Sequence, residues 1–191
     1  MLKFDIIGCD VFHVREEFYI TEDDLTQVAD KFLQLNYGLK LDIPIKRNNR
    51  LRTTLGRYVI SHDDQPLRIE IAGNTLKYGT ASSIIEILKH ECIHYALHKK
   101  GLPYHDGDPL FEAELRKHHV PSTDTKIIGK YYLFRCQKCS HEGKTLFKRI
   151  VQNPDQYRTS CCNAPLKIIG EVIYDGEDDD SRKVERKEAS S

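Results

Sequence analysis

Residues Lys89 to Gly101 read KHECIHYALHKKG, and this stretch decides how the rest of the chain is read. Two histidines stand four apart, with a glutamate directly after the first. On a helix, residues i and i+4 share a face, so His90 and His94 can offer imidazole nitrogens to one ion at about 2.0–2.1 Å. Glu91 is one position on, turned away from that ion yet within reach of a water beside it. That is the arrangement of zinc hydrolases, where the metal lowers the pKa of its water to about 7 and the carboxylate takes the proton as the water attacks a carbonyl. The same five-letter pattern also arises by chance on solvated helix faces, so the flanks must decide. Apolar Ile87, Ile93 and Leu97 surround the pair, and imidazoles among them are costly without a partner.

The helix has its own punctuation. Ser83 with Glu86 three positions on forms a capping-box signal, and Gly101 supplies a C-cap, giving roughly five turns. A catalytic zinc takes three protein ligands and leaves a position open. The loop GLPYHDGDPLFEAEL offers the third. His105 is favoured on chemical grounds, because imidazole matches the other two ligands; Asp106 and Asp108 come next, then Glu112 and Glu114.

Upstream, TEDDLTQVADKFLQLNYGL from Thr21 reads as an amphipathic helix with apolar Leu25, Val28, Ala29, Phe32, Leu33 and Leu35. The runs LDIPIKR, LRTTLGRYVI and PLRIEIAG, with turn residues between them, predict a small antiparallel meander. A second amphipathic helix, LFEAELRKHHV, follows the loop.

Composition shifts near Pro121-Ser122-Thr123-Asp124, and a strand-rich segment runs to Tyr174. It carries Cys136-Gln137-Lys138-Cys139, a CxxC knuckle, and Cys161-Cys162 after 21 intervening residues, a spacing suited to a structural zinc held by four thiolates. A second CxxC would place a cysteine at Thr159, so the adjacent pair is unusual and His141 is an alternative ligand; a redox CxxC is the competing reading. Cys9 and Cys92 stand alone. Between Lys126 and Tyr174, nine basic side chains face three acidic ones, interleaved with Tyr131, Tyr132, Phe134, Phe147 and Tyr157. Such a surface can neutralise phosphates and stack on unpaired bases, although the aromatics could equally be the module's small core.

Over the whole chain, 29 basic residues balance 29 acidic ones, so net charge indicates no partner. No window approaches 18 consecutive apolar residues and the N-terminus lacks the features of a signal peptide, so the expectation is a cytoplasmic protein with no membrane association. The last stretch, DGEDDDSRKVERKEASS, reads as a disordered tail.

With these residues in hand, the chain resembles the SprT-like family of zinc metallopeptidases, which includes the Spartan proteases, over roughly Phe18 to Tyr174. The H-E-x-x-H core maps onto His90, Glu91 and His94. Family members place the third histidine four or five residues before an aromatic such as Phe111; here Gly107 and Asp106 occupy those positions and His105 is one further back. The resemblance implies an α+β chain, with a minimal zincin-like metallopeptidase domain over 18–122, a zinc-ribbon-like module over 126–174 and a tail over 175–191. It implies one catalytic zinc and one structural zinc, and a family whose best-understood members cut proteins attached to DNA. Two functions follow. One is a zinc metallopeptidase with Glu91 as general base, a protein substrate and a ribbon that localises it on nucleic acid. The alternative is a non-catalytic nucleic-acid-binding or adaptor protein with a structural zinc at the histidines. Glu91 argues for the first, because a structural site needs no general base.

Overall fold

A computed structural model of the chain describes residues 20–122 and 126–177; Cys9, the rest of the N-terminal stretch and most of the tail from Asp178 lie outside the described residues. The described residues are mixed α+β with two small sheets.

The first helix, α1 (Glu22–Tyr37), starts at Thr21. The Thr21 hydroxyl accepts the Asp24 N–H at 3.1 Å, while the Asp24 carboxylate accepts the Thr21 N–H at 2.9 Å, so two of the otherwise unpaired donors at the helix start are satisfied reciprocally. Leu25, Ala29, Phe32 and Leu33 are buried, but Leu35 is 74% exposed. The helical period explains the exception, because Leu35 falls about 100° round the helix from the 25/29/32/33 stripe.

The first sheet contains β1 (Ile45–Asn48), β2 (Gly56–Ile60) and β3 (Pro66–Ala72) in the order β1-β3-β2. The expected antiparallel meander is half right. β2 pairs with β3 antiparallel, but β1 pairs with β3 in parallel, Ile45 opposite Ile69 and Asn48 opposite Ala72. β3 takes the centre because Ile69 and Ile71 are completely buried, and a central strand is the one that loses most solvent. On the other face of β3, Glu70 is buried and accepts from Arg57, Arg68 and Asn48 at 2.6–2.7 Å, which satisfies a carboxylate that would otherwise be costly to bury. β2 is left as an edge strand.

After α2 (Gly73–Tyr78) comes the helix of the quoted stretch, α3 (Ala81–Lys99). It starts earlier than the Ser83 signal suggested. Thr80 caps it, its hydroxyl accepting the Ser83 N–H at 3.1 Å. From Ile87 to Leu97 all but Lys89 are buried, so α3 is a central helix and not an amphipathic one at the surface. α4 (Pro109–Lys117) packs on it through Phe111 and Leu115.

The second sheet, β4 (Ile128–Cys136), β5 (Glu142–Thr145) and β6 (Leu166–Asp175), is antiparallel in the order β5-β4-β6. Its far end meets the start of α3. The Asp175 carbonyl accepts the Thr80 N–H at 3.1 Å, and Lys126 sits 2.9 Å from Glu86 with its side chain only 12% exposed.

Candidate active site and cysteine centre

His90, Glu91 and His94 lie in the middle of α3, each less than 10% exposed. Beyond the helix the chain turns at Gly101, where φ is +67°, and a loop folds back over the histidine face. That loop delivers Asp106. One Asp106 carboxylate oxygen is 3.1 Å from His90 Nε2 and 3.6 Å from His94 Nε2, and the three residues form a group able to hold one metal ion. His94 Nδ1 meets the Tyr104 carbonyl at 2.5 Å. A carbonyl can only accept, so Nδ1 carries the proton and Nε2 turns its lone pair toward Asp106.

The other third-ligand candidates are elsewhere. His105, the favoured one, lies on the cleft rim with its ring against Tyr104 and does not join the group. Asp108 accepts the His105 N–H at 2.8 Å, and Glu112 accepts the Gly107 N–H at 3.2 Å, so both brace the loop. Glu114 points away, accepting from the Tyr37 hydroxyl at 2.8 Å. The position of Asp106 five residues before Phe111 was the sequence signal for it.

Two neighbours, Tyr58 and Gly56, escaped the sequence reading, and Phe111 entered it only as a mark of spacing. Phe111 is fully buried, stacks on the His94 ring with centroids 4.1 Å apart and meets His90 edge-on at 5.2 Å, which fixes both imidazole planes. Tyr58 lies parallel to His94 at 6.4 Å. Gly56 lets β2 approach α3. A Cβ there would stand 2.8 Å from Ile87 Cγ2 and 3.0 Å from Glu91 Oε1.

Burial, and next the Asp106 charge, push the Glu91 carboxyl up to about 8 against a backbone N–H from Tyr58 that favours its ionised form. Burial, then the neighbouring His90, pull His94 down to about 4, against the Tyr104 carbonyl and Asp106; it is therefore neutral and ligand-competent near pH 7. Glu91 lines both hollows of a cleft between the β2 edge and α3, one bounded by Thr53, Ile87 and Lys126, the other by Tyr58, Tyr104 and Asp106.

At the second sheet, Cys136 ends β4, Cys139 follows in the knuckle, and Cys161 and Cys162 precede β6. Their four sulfurs lie within 4.8 Å of one another, with Cys139 and Cys161 at 3.5 Å. Adjacency therefore does not prevent Cys161 and Cys162 from facing one point. His141 is not in the group and gives its carbonyl to the Cys136 N–H. Thr159, standing where a cysteine would complete a second CxxC, is buried and donates its hydroxyl to Cys136 Sγ at 3.2 Å. That bond, followed by backbone N–H groups of the knuckle, holds the Cys136 thiol down to about 6; proximity to Cys139 pushes Cys162 up to about 12.

Comparison with known proteins points to one family. The family model described as "SprT-like family" matches residues 22–124. The protein called SprT-like of Bacillus velezensis is 34% identical over 127 residues, covering 64% of this chain and 80% of that protein. Its namesakes in Bacillus subtilis and Staphylococcus saprophyticus are 32% and 36% identical, covering 64% of this chain in each case and 80% and 78% of their own lengths. No solved structure matches. No helix among the described residues is long and apolar enough to cross a membrane. The match spans α1 through α4, including both histidines, Glu91 and Asp106, and the chain belongs to the SprT-like family.

Proposed function

We propose that this protein is a zinc-dependent metallopeptidase of zincin-like build, with a catalytic unit over 18–122 and a zinc ribbon over 126–174. The observation that carries the reading is the convergence of His90, His94 and Asp106 beside a buried Glu91 in an open cleft. The separations of 3.1 and 3.6 Å bracket the edge of about 3.3–3.4 Å expected for a tetrahedron with bonds near 2.0–2.1 Å. Bound there, zinc would supply Lewis acidity toward a peptide carbonyl and lower the pKa of a water to about 7. His90, His94 and Asp106 would hold it.

The remaining chemistry belongs to the chain. Glu91, poised between the two hollows, takes the proton of the attacking water as a carboxylate, the form that the charge of a bound cation would favour against the burial and the Asp106 charge that raise its pKa, and returns it to the leaving amine. β2 is an edge strand along the cleft, where the backbone of an extended polypeptide can add as a further strand beside the Tyr58 N–H that Glu91 takes. A protein substrate fits that edge better than a compact small molecule.

The four cysteines would hold a structural zinc, for which the 3.5 Å sulfur separation is compatible with an edge of about 3.8 Å at bonds near 2.3 Å. The ribbon favours nucleic acid as a second partner. Glu171 pairs with Lys130 and Glu142 with Arg135, leaving most of the basic side chains in excess, and Phe147 is 41% exposed beside Arg149.

The test is elemental analysis of the wild type, His90→Ala and the Cys136→Ser/Cys139→Ser double variant, followed by proteolysis of an unfolded protein with and without single-stranded DNA. Two zincs, one lost in each variant, with Glu91→Gln abolishing cleavage while keeping both, is the expected result. A single zinc lost only in the cysteine variant would overturn the peptidase and leave a ribbon-bearing binding protein.

A further inference from the structure

We infer that Asp64, in the turn between β2 and β3, is a positioning residue that clamps the α3–α4 loop to the sheet and so holds the Tyr104 carbonyl on His94 and Asp106 beside His90. Its neighbour Asp63 faces solvent, with a side chain 91% exposed and 3.8 Å from His62, whereas Asp64, at a φ of +55° and with its side chain 63% exposed, is turned onto Tyr104 and His98. One Asp64 oxygen accepts the Tyr104 hydroxyl at 2.8 Å; the other is 3.3 Å from His98 Nε2. With the His98 proton directed at that carboxylate, Nδ1 is left as an acceptor for the Tyr58 hydroxyl at 2.7 Å. The Tyr104 ring also stacks on His98 at 4.3 Å and 16°. A single carboxylate thus joins the hairpin turn, the last turn of α3 and the loop.

The consequence lies within two residues of Tyr104. Its carbonyl sets the tautomer of His94, and Asp106 is the third member of the group. The bonds from His105 N–H to Asp108 and from Gly107 N–H to Glu112 hold the loop to itself and to α4. Tyr104 to Asp64 ties it to the sheet. Partners that orient metal ligands commonly change metal affinity by about 10–100-fold when removed, and Asp64 acts one bond further out. The effect on metal rests on the metal-centre reading above; the contact itself does not.

Asp64→Gly isolates the side chain, because glycine keeps a φ of +55° without strain. Asp64→Asn is the conservative partner, tolerating that φ and still offering an oxygen to Tyr104. In the full-length chain, amide hydrogen exchange is followed for residues 102–106 and for the middle of α3, and zinc affinity is read by chelator competition, the histidine-site pool being the one absent in His90→Ala. Asp64→Gly is expected to expose the loop amides severalfold with α3 unchanged, and to weaken the histidine-site zinc by about 3–30-fold while sparing the cysteine-site zinc, with Asp64→Asn restoring most of the difference. Unchanged loop exchange overturns the clamp, and so does faster exchange with unaltered histidine-site affinity. If the wild type holds no zinc that His90→Ala removes, the peptidase reading falls, and loop exchange in the metal-free chain still decides whether Asp64 clamps.

Discussion

Gly56→Ala probes how closely β2 must approach α3. The added methyl would lie 2.8 Å from Ile87 Cγ2, 3.0 Å from Glu91 Oε1 and 3.3 Å from Glu91 Cγ. Ile87 cannot rotate clear, because a β-branched side chain on a helix has essentially one χ1 well and this one is buried. The strain must therefore go into lifting β2 or displacing Glu91. Overpacking of this kind costs about 1–3 kcal/mol, offset by about 0.5–1 kcal/mol because alanine has less backbone freedom to lose than glycine. Taken at the middle of both ranges, the net loss of about 1.25 kcal/mol lowers Tm by roughly 3–5 °C for a chain of this size. On the proposed role of Glu91 as general base, displacing it by a fraction of an ångström should also reduce kcat/KM for peptide cleavage about 10- to 100-fold, within what small misplacements cost. Gly38→Ala is the matched control. That C-cap has a φ of +67° with nothing within 4 Å, so alanine there costs about 1 kcal/mol of backbone strain far from the cleft. Thermal melts and cleavage of an unfolded protein read both variants. If Gly56→Ala melts like the wild type, or loses no more activity than Gly38→Ala, the close-approach argument is refuted.

Asp106→Ala should empty the histidine site, whereas His105→Ala should leave its zinc in place; chelator competition on each variant distinguishes the two residues directly. Burial acts to raise Glu70, but Asn48, Arg68 and Arg57 outweigh it and hold the carboxyl at about 2, below its usual value of 4.5. Because the folded-state pKa is depressed, this stabilisation is complete above about pH 4.5 and lost as pH falls toward 2; it amounts to roughly 2 kcal/mol after allowing for the half-exposed arginines. Urea unfolding should therefore show Glu70→Gln destabilised at pH 7 and close to the wild type at pH 2, and equal deficits at both pH values would exclude the assignment. Thr159→Val removes the hydroxyl from Cys136 Sγ and should weaken the cysteine-site metal about 10-fold without touching the histidine site, measured by the same competition.

Much of this protein was legible locally. The amphipathic stripe of α1, the histidine pair with its glutamate on α3, the short amphipathic α4 and the clustered cysteines are features of local spacing, and helical period or metal-ligand spacing reads them directly. Only the tertiary structure decided matters that depend on segments distant in sequence. β1 lies beside β3 and runs parallel to it, a pairing between segments about 20 residues apart that no local alternation can reveal. Thr159 became a donor to sulfur because the fold brings it to Cys136, 23 positions away. The choice between His105 and Asp106 is the sharpest case: on a loop, successive side chains project without a fixed period, so the turn at Gly101 and the anchoring of Tyr104 determined which of two adjacent ligands faces the histidines.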